Sequence, residues 1–329
     1  MTLSLFNRTI LITKISILVL RIFKINIKSN WTFNNLIHFL KEIFIIGEDM
    51  EIGTEDVQWL FNIPRLLISS THIHKFVEFS INDSRCVWYG DFSETPETIL
   101  IYFHGGGYCV GSPEAYFGLI NRIDSSIKAK GLNYLLMDYP KAPEYKYPLA
   151  INICYQKYRY LTTLFPKSSF VFMGDSSGAN LLLQITNKII NENIKKPKAL
   201  ICLSPWIITN KRDSFWTKNI DKDFLTPFAV DLATKTYLGY EITDERWDLT
   251  PLDFDYTQFP PIYLRAGENE LILDEILSLI DKIKVSKCKF EYKIVKDMPH
   301  AFDIFHGLVK DFDCDFKGLL EYIKLAITI

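Results

Sequence analysis

Phe170-Val171-Phe172-Met173-Gly174-Asp175-Ser176-Ser177-Gly178 is the stretch on which the fold turns. An apolar run of strand character leads straight into Gly-x-Ser-x-Gly, and a helical pattern follows at once. Gly174 and Gly178 leave room for a tight strand-to-helix turn that holds one side chain in strained geometry. Such a turn lifts the Ser176 hydroxyl clear of a sheet, beside a helix N-terminus that favours developing negative charge. The pentapeptide alone is weak, because Gly and Ser crowd ordinary turns. The strand before it and the helix after it are what weigh against a plain βα turn.

Outward from this turn, short apolar runs alternate with amphipathic segments. The runs at 99–103, 133–138, 170–173, 199–203, 262–266 and 290–295 are four to six residues each, mostly Ile, Leu, Val, Phe or Tyr. That suits buried parallel strands. Helices are expected at 113–130, which opens on Pro113 and stops before Gly131, and at 149–164, 178–194, 271–285 and 312–327. Alternation of this kind predicts an α/β fold with a mostly parallel sheet. Residues 1–95 and 206–259 do not fit the alternation, so an accessory layer over the sheet is expected from both. No internal repeat or Gly/Ser-rich linker is visible.

Composition narrows the classes. The 329 residues are 48% hydrophobic and 23% charged, enough apolar material for a large core and too much for disorder. The net charge of -2 excludes the electrostatic footprint of a nucleic-acid binder. Six scattered cysteines form no CxxC pair and read as single buried thiols, which favours a reducing, cytoplasmic compartment. Three N-x-S/T sequons, at Asn7, Asn30 and Asn82, pull the other way but carry little weight in so Asn-rich a chain.

The basic charge is concentrated at the start: residues 1–41 hold six basic side chains and no acid. Lys14, Arg21 and Lys28 recur every seventh residue, so a helix would stack them on one stripe among Ile, Leu, Val and Phe. The uncharged run 15–20 is far short of the roughly 20 residues of a membrane span. The commoner meaning of this pattern is a helix packed on the protein with its lysines reaching water. Peripheral contact with an anionic membrane through residues 8–28 is the other. No small-residue cleavage site follows, which argues against a cleaved signal peptide.

Three further sites carry chemistry. His104-Gly105-Gly106-Gly107-Tyr108 directly follows the run 99–103. Acyl transfer needs N–H donors aimed at an oxyanion, and consecutive glycines let backbone approach a substrate. Gly106 and Gly107 are the expected donors, with the Ser177 N–H as a third. His104 reads as a structural residue of this loop. The loop lacks the GK[ST] ending of a phosphate loop and the GxGxxG of a dinucleotide loop. A base for Ser176 is sought among His38, His72, His74, His104, His300 and His306. His300 falls just after the run 290–295, at the carboxyl end of a strand, where catalytic groups of such sheets gather. His306 is the reserve. His72 and His74 suggest a metal pair, but no third ligand is evident. An acid must fix the tautomer of the base. Glu270, in the loop after 262–266, is favoured over Asp274 one helical turn later. The resulting chain order, Ser176, Glu270, His300, is that of α/β-hydrolases.

Together HGGGY, GDSSGAN, the segment Asp138-Tyr139-Pro140-Lys141-Ala142-Pro143-Glu144, Ser204-Pro205-Trp206 and the pair GENELILDE and MPHAF resemble the hormone-sensitive lipase family of α/β-hydrolases. That family includes bacterial esterases and arylacetamide deacetylases. The resemblance covers about 99–302. It implies the α/β-hydrolase fold: an eight-stranded, mostly parallel sheet with helices on both faces and a helical cap. The cap would come from residues 1–95 and from an insertion at 206–259 within a catalytic domain of 96–329. Four residues depart from the family pattern: Glu270 stands where Asp is commoner, Ser177 replaces Ala, Lys141 replaces Leu and Ala301 replaces Gly. None of these removes a catalytic function.

The expected activity is hydrolysis of short- to medium-chain carboxylic esters, small-molecule substrates, through an acyl-enzyme. No metal or organic cofactor is required. Tyr108, Trp206, Phe215 and Trp216 are candidate pocket walls. An arylamide deacetylase or formamidase would share every catalytic residue. A silent small-molecule receptor, like the plant gibberellin receptors that resemble this family, would have lost the histidine that stands here at 300.

Overall fold

The alternation of buried runs and helices closes into one mixed sheet in a computed structural model of the chain. It describes residues 33–54, 76–81, 84–91, 95–207, 218–239, 250–306 and 310–328, with Lys14, Gln58 and Trp216. The strands are β1 (Phe76–Ile81), β2 (Ser84–Tyr89), β3 (Thr98–Phe103), β4 (Leu132–Met137), β5 (Ser169–Asp175), β6 (Ala199–Leu203), β7 (Ile262–Gly267) and β8 (Phe290–Val295). Their order across the sheet is β1-β2-β4-β3-β5-β6-β7-β8. β1 and β2 run antiparallel at one edge, and β2 joins β4 antiparallel. All remaining pairs are parallel. The helices are α1 (Phe33–Asp49), α2 (Phe117–Ile127), α3 (Leu149–Leu164), α4 (Ser177–Asn191), α5 (Pro227–Leu238), α6 (Leu273–Lys284) and α7 (Phe316–Thr328).

Each central strand buries both faces, which is why it reads as an unbroken apolar run. Along β3, Ile99, Ile101 and Phe103 join one core with α3, α4 and α6, while Leu100 and Tyr102 point to the other, under α2 and α7. The expected helix 113–130 is in fact a 3-10 turn at Pro113–Tyr116 followed by α2. Likewise the last helix is preceded by a 3-10 turn at Lys310–Asp315.

The antiparallel pair β1–β2 was not foreseen. It comes from the region expected to form only the accessory layer, yet it extends the sheet. β1 is an edge strand with exposed Val77 and Glu78, so it lacks the buried signature of its neighbours.

Over the carboxyl ends of the strands lie α1 and α5, packed against each other. Ile37, Leu40 and Phe44 recur on one face of α1 and are buried. α5 starts on Pro227 behind Thr226, whose Oγ1 accepts the Ala229 N–H at 3.2 Å, and stops at Gly239 with φ +81°. Among the described residues no helix is long and apolar enough to cross a membrane. Residues 8–28 lie outside the described residues, Lys14 excepted. Cys86, Cys109, Cys154 and Cys202 are buried free thiols, as the scattered spacing suggests, whereas Cys288 is a free thiol that is only half-buried.

Candidate active site

β3 has β4 on one side and β5 on the other, so the chain order reverses there, and Phe103 pairs in register with Gly174. The glycine loop after β3 and the serine turn after β5 are therefore neighbours at the switch point of the sheet, where crevices form. A Cβ on Gly178 would sit 2.0 Å from Phe103 O, and one on Gly174 would sit 2.7 Å from the same atom. Only glycine lets the turn pack this closely on β3.

Ser176 itself has φ +52° and ψ -120°, a conformation that L residues rarely adopt. Surrounding bonds hold it there. Its N–H donates to Leu203 O at 2.9 Å, and its carbonyl accepts from Asn180 N at 3.1 Å and Trp206 N at 3.0 Å. The neighbouring Asp175 is buried, and its carboxylate accepts from Tyr102 OH at 2.9 Å, Tyr116 OH at 3.1 Å and Gly105 N at 3.0 Å. It thereby ties the serine turn to the glycine loop. Burial pushes its pKa up to about 6, against the pull of those hydrogen bonds.

Glu270 and His300 converge on this serine. His300 Nε2 lies 2.9 Å from Ser176 Oγ, and His300 Nδ1 lies 2.9 Å from Glu270 Oε2. The other oxygen of Glu270 accepts from Ser204 Oγ at 2.6 Å and from Gly267 N at 2.5 Å. The carboxylate is fully buried with both oxygens bonded. Burial opposes charge on His300. The hydrogen bond and charge of Glu270 outweigh it, with Asp223 and Asp175 adding to the same side, and hold the imidazole pKa above its ordinary value. Asp274, the alternative acid, lies in the first turn of α6. His306, the reserve base, belongs elsewhere: its Nε2 is 2.8 Å from Asp303 Oδ1, in a buried cluster with Arg265.

Gly105, Gly106, Gly107, Ser176 and His300 line one cavity of about 150 Å³. Gly106 and Gly107 have φ of +120° and +60°, so glycine is required at both. Ser177, buried, opens α4 directly behind Ser176. His104 is buried with a lowered pKa, its ring stacked on Tyr139 at 4.1 Å and its Nδ1 2.7 Å from Gly105 O. Apolar side chains complete the walls: Leu40 and Phe44 from α1, Val230 and Ala233 from α5, and Trp206, Phe224 and Leu225.

Of the expected wall residues, Trp206 lines the cavity. Tyr108 does not: with φ +60° its ring turns away to stack on Tyr237 at 3.9 Å, and its hydroxyl donates to Asn180 Oδ1 at 2.8 Å. Trp216 donates from Nε1 to Glu275 Oε1 at 3.0 Å and is likewise not a wall. Phe215, His72 and His74 lie outside the described residues.

Two residues near His300 escaped sequence reading. Asp223, buried in the segment before α5, accepts the His300 N–H at 3.1 Å and the Leu271 N–H at 2.7 Å. Asn219 donates from Nδ2 to Glu270 O at 2.8 Å and to Glu268 O at 3.1 Å. No motif marks either, because each acts on backbone brought near only by folding.

The sheet order, the serine turn at its switch point and the helices on both faces define an α/β-hydrolase fold. The chain belongs to the alpha/beta hydrolase fold family, whose model matches residues 100–304. Among curated relatives it is similar to an esterase of Acinetobacter venetianus, 27% identical over 64% of this chain and 69% of that one. An acetyl-hydrolase of Streptomyces hygroscopicus is 26% identical over 64% of this chain and 70% of its own. The motif resemblance to hormone-sensitive lipases has a counterpart among solved structures. An esterase from the bacterial hormone-sensitive lipase family superposes with a TM-score of 0.73 at 23% identity, covering 88% of this chain and 98% of that one.

Proposed function

We propose that this protein is a serine carboxylesterase acting on short-acyl esters. The observation that carries the proposal is the continuous path Glu270–His300–Ser176, both links 2.9 Å, opening into a cavity floored by the glycine loop. A protein that only bound small molecules would have no use for a buried carboxylate behind the histidine.

In this mechanism His300 Nε2 accepts the Ser176 proton as Oγ attacks the ester carbonyl. The carbonyl π electrons move to oxygen, and the oxyanion is held by the N–H groups of Gly106, Gly107 and Ser177, each such donor lowering the barrier by about 3 kcal/mol. Glu270 fixes the imidazole tautomer and stabilises the imidazolium without taking its proton. Collapse breaks the C–O bond, and His300 returns the proton to the leaving alkoxide. His300 then takes a proton from a water whose oxygen attacks the acyl carbon; the acyl C–Oγ bond breaks, and His300 returns the proton to Ser176 Oγ as the acid leaves.

The short end of the acyl range is proposed because the cavity is small, about 150 Å³, and its walls are mainly apolar. Hydrolysis of p-nitrophenyl acetate, butyrate and decanoate by wild type and Ser176→Ala tests the proposal. Acetate and butyrate should turn over, decanoate poorly, and Ser176→Ala should be inactive. A folded wild type inert toward all three would overturn it.

A further inference from the structure

We infer that Asp223 is a positioning residue that serves His300 as a second carboxylate, acting through backbone where Glu270 acts through the ring. The inference rests on the proposed roles of Ser176, Glu270 and His300. It starts from a geometric fact: one buried side chain bonds both loops that must meet. Asp223 Oδ1 accepts from His300 N at 3.1 Å and from Phe224 N at 2.8 Å, and Oδ2 accepts from Leu271 N at 2.7 Å. The loop bearing the acid and the loop bearing the base are thus fastened to one carboxylate. Asn219, four residues earlier, fastens the acid loop again through the Glu270 carbonyl.

A neutral amide cannot replace this group. Asp223 meets backbone N–H donors at both oxygens, and asparagine offers one oxygen acceptor and turns a donor toward the other N–H. The carboxylate is also fully buried, and its negative charge supports the imidazolium. The titratable groups facing His300 are Glu270, Asp223 and Asp175; those facing Asp223 are His300 and Glu270.

The same segment reaches the cap. Lys41 of α1 donates to Ile220 O at 2.5 Å and to Asp221 Oδ1 at 3.0 Å. Beyond it, Phe224 and Leu225 form part of the cavity wall. One short strap therefore runs from α1, through the carboxylate that holds the backbone of the base, to the cavity wall.

Asp223→Asn tests this with two readouts. The first is the titration of the His300 ring, followed by NMR on histidine-labelled protein and assigned by its loss in His300→Gln. It should move down by about one pH unit in Asp223→Asn. The second is turnover of p-nitrophenyl butyrate, with kcat falling about tenfold or more and KM within twofold. An unmoved His300 titration, or an unchanged kcat in active enzyme, overturns the inference. If Asp223→Asn does not fold, Asp223→Glu decides. Charge retained with altered reach should leave the titration in place and lower kcat, and a wild-type kcat would count against it. The titration needs no turnover, so a wild type inert toward esters would sink the esterase reading while still deciding the role of Asp223.

Discussion

Ser204 Oγ donates to Glu270 Oε1 at 2.6 Å and accepts the Ala301 N–H at 3.0 Å. A single hydroxyl therefore joins the carboxylate to the residue next to His300, and Ser204 adopts φ +46° to do so. In Ser204→Ala the Ala301 donor is left buried and unpaired, at a cost of about 1–3 kcal/mol. Glu270 also loses one anchor. Thermal unfolding should show the lost stability, and ester turnover should fall about tenfold. Unchanged values for both would mean that the hydroxyl is dispensable.

Glu270 departs from the commoner aspartate, and its length is used: one oxygen reaches His300 while the other is fixed by Ser204 and Gly267. Glu270→Gln keeps the length but removes the charge that supports the imidazolium, so kcat should fall by about 10³–10⁴. Glu270→Asp keeps the charge but cannot span both contacts, and about a 10–100-fold loss is expected. Steady-state kinetics on the two variants separate charge from reach; a wild-type rate in Glu270→Asp would show that reach contributes nothing.

Gly106 is one of the proposed oxyanion donors. A Cβ there would meet Val110 O at 2.4 Å, and φ +120° is unfavourable for any other residue. Gly106→Ala should therefore displace the loop and reduce kcat by about 10² or more. Turnover near wild type would place the oxyanion elsewhere.

Activity and stability should part company in mild acid. In the proposed mechanism turnover needs neutral His300, whose pKa is raised, so kcat/KM should fall on acidification with a midpoint above the ordinary histidine value of about 6.5. Stability runs the opposite way through the neighbouring carboxylates. Asp175 and Asp223 are each raised to about 6, so their favourable contribution is complete below the ordinary carboxylate range and is lost as pH rises through 6. The depressed carboxylates Asp138, Glu114 and Asp303 lose their contribution only below that ordinary range. Between pH 7 and 5 the protein should turn inactive yet stay folded, with activity returning on neutralisation. A melting temperature that collapses in step with activity would contradict this.

Much of this architecture was legible in the residues. The central strands bury both faces and so appear as apolar runs, and α3 falls at 149–164 as its periodicity indicated. Ser176, Glu270 and His300 each sit on a loop at a strand's carboxyl end, and the serine motif, the loop positions and the chain order together brought them into one hypothesis. What stayed hidden was what folding creates. β1 and β2 gain their meaning from an edge partner rather than from an apolar run. Tyr108 was expected in the pocket, but a left-handed backbone at that residue turns its ring to Tyr237. Asp223 and Asn219 act on backbone groups, so no motif could announce them.

The central claim is that Ser176 Oγ is the nucleophile, and covalent trapping tests it most directly. Wild type treated with p-nitrophenyl diethyl phosphate should lose ester turnover as it gains one diethylphosphoryl group per chain. Peptide mass spectrometry should find that group on Ser176, and Ser176→Ala should remain unlabelled. An active enzyme that resists the reagent, or that carries the group on another residue, would contradict the claim.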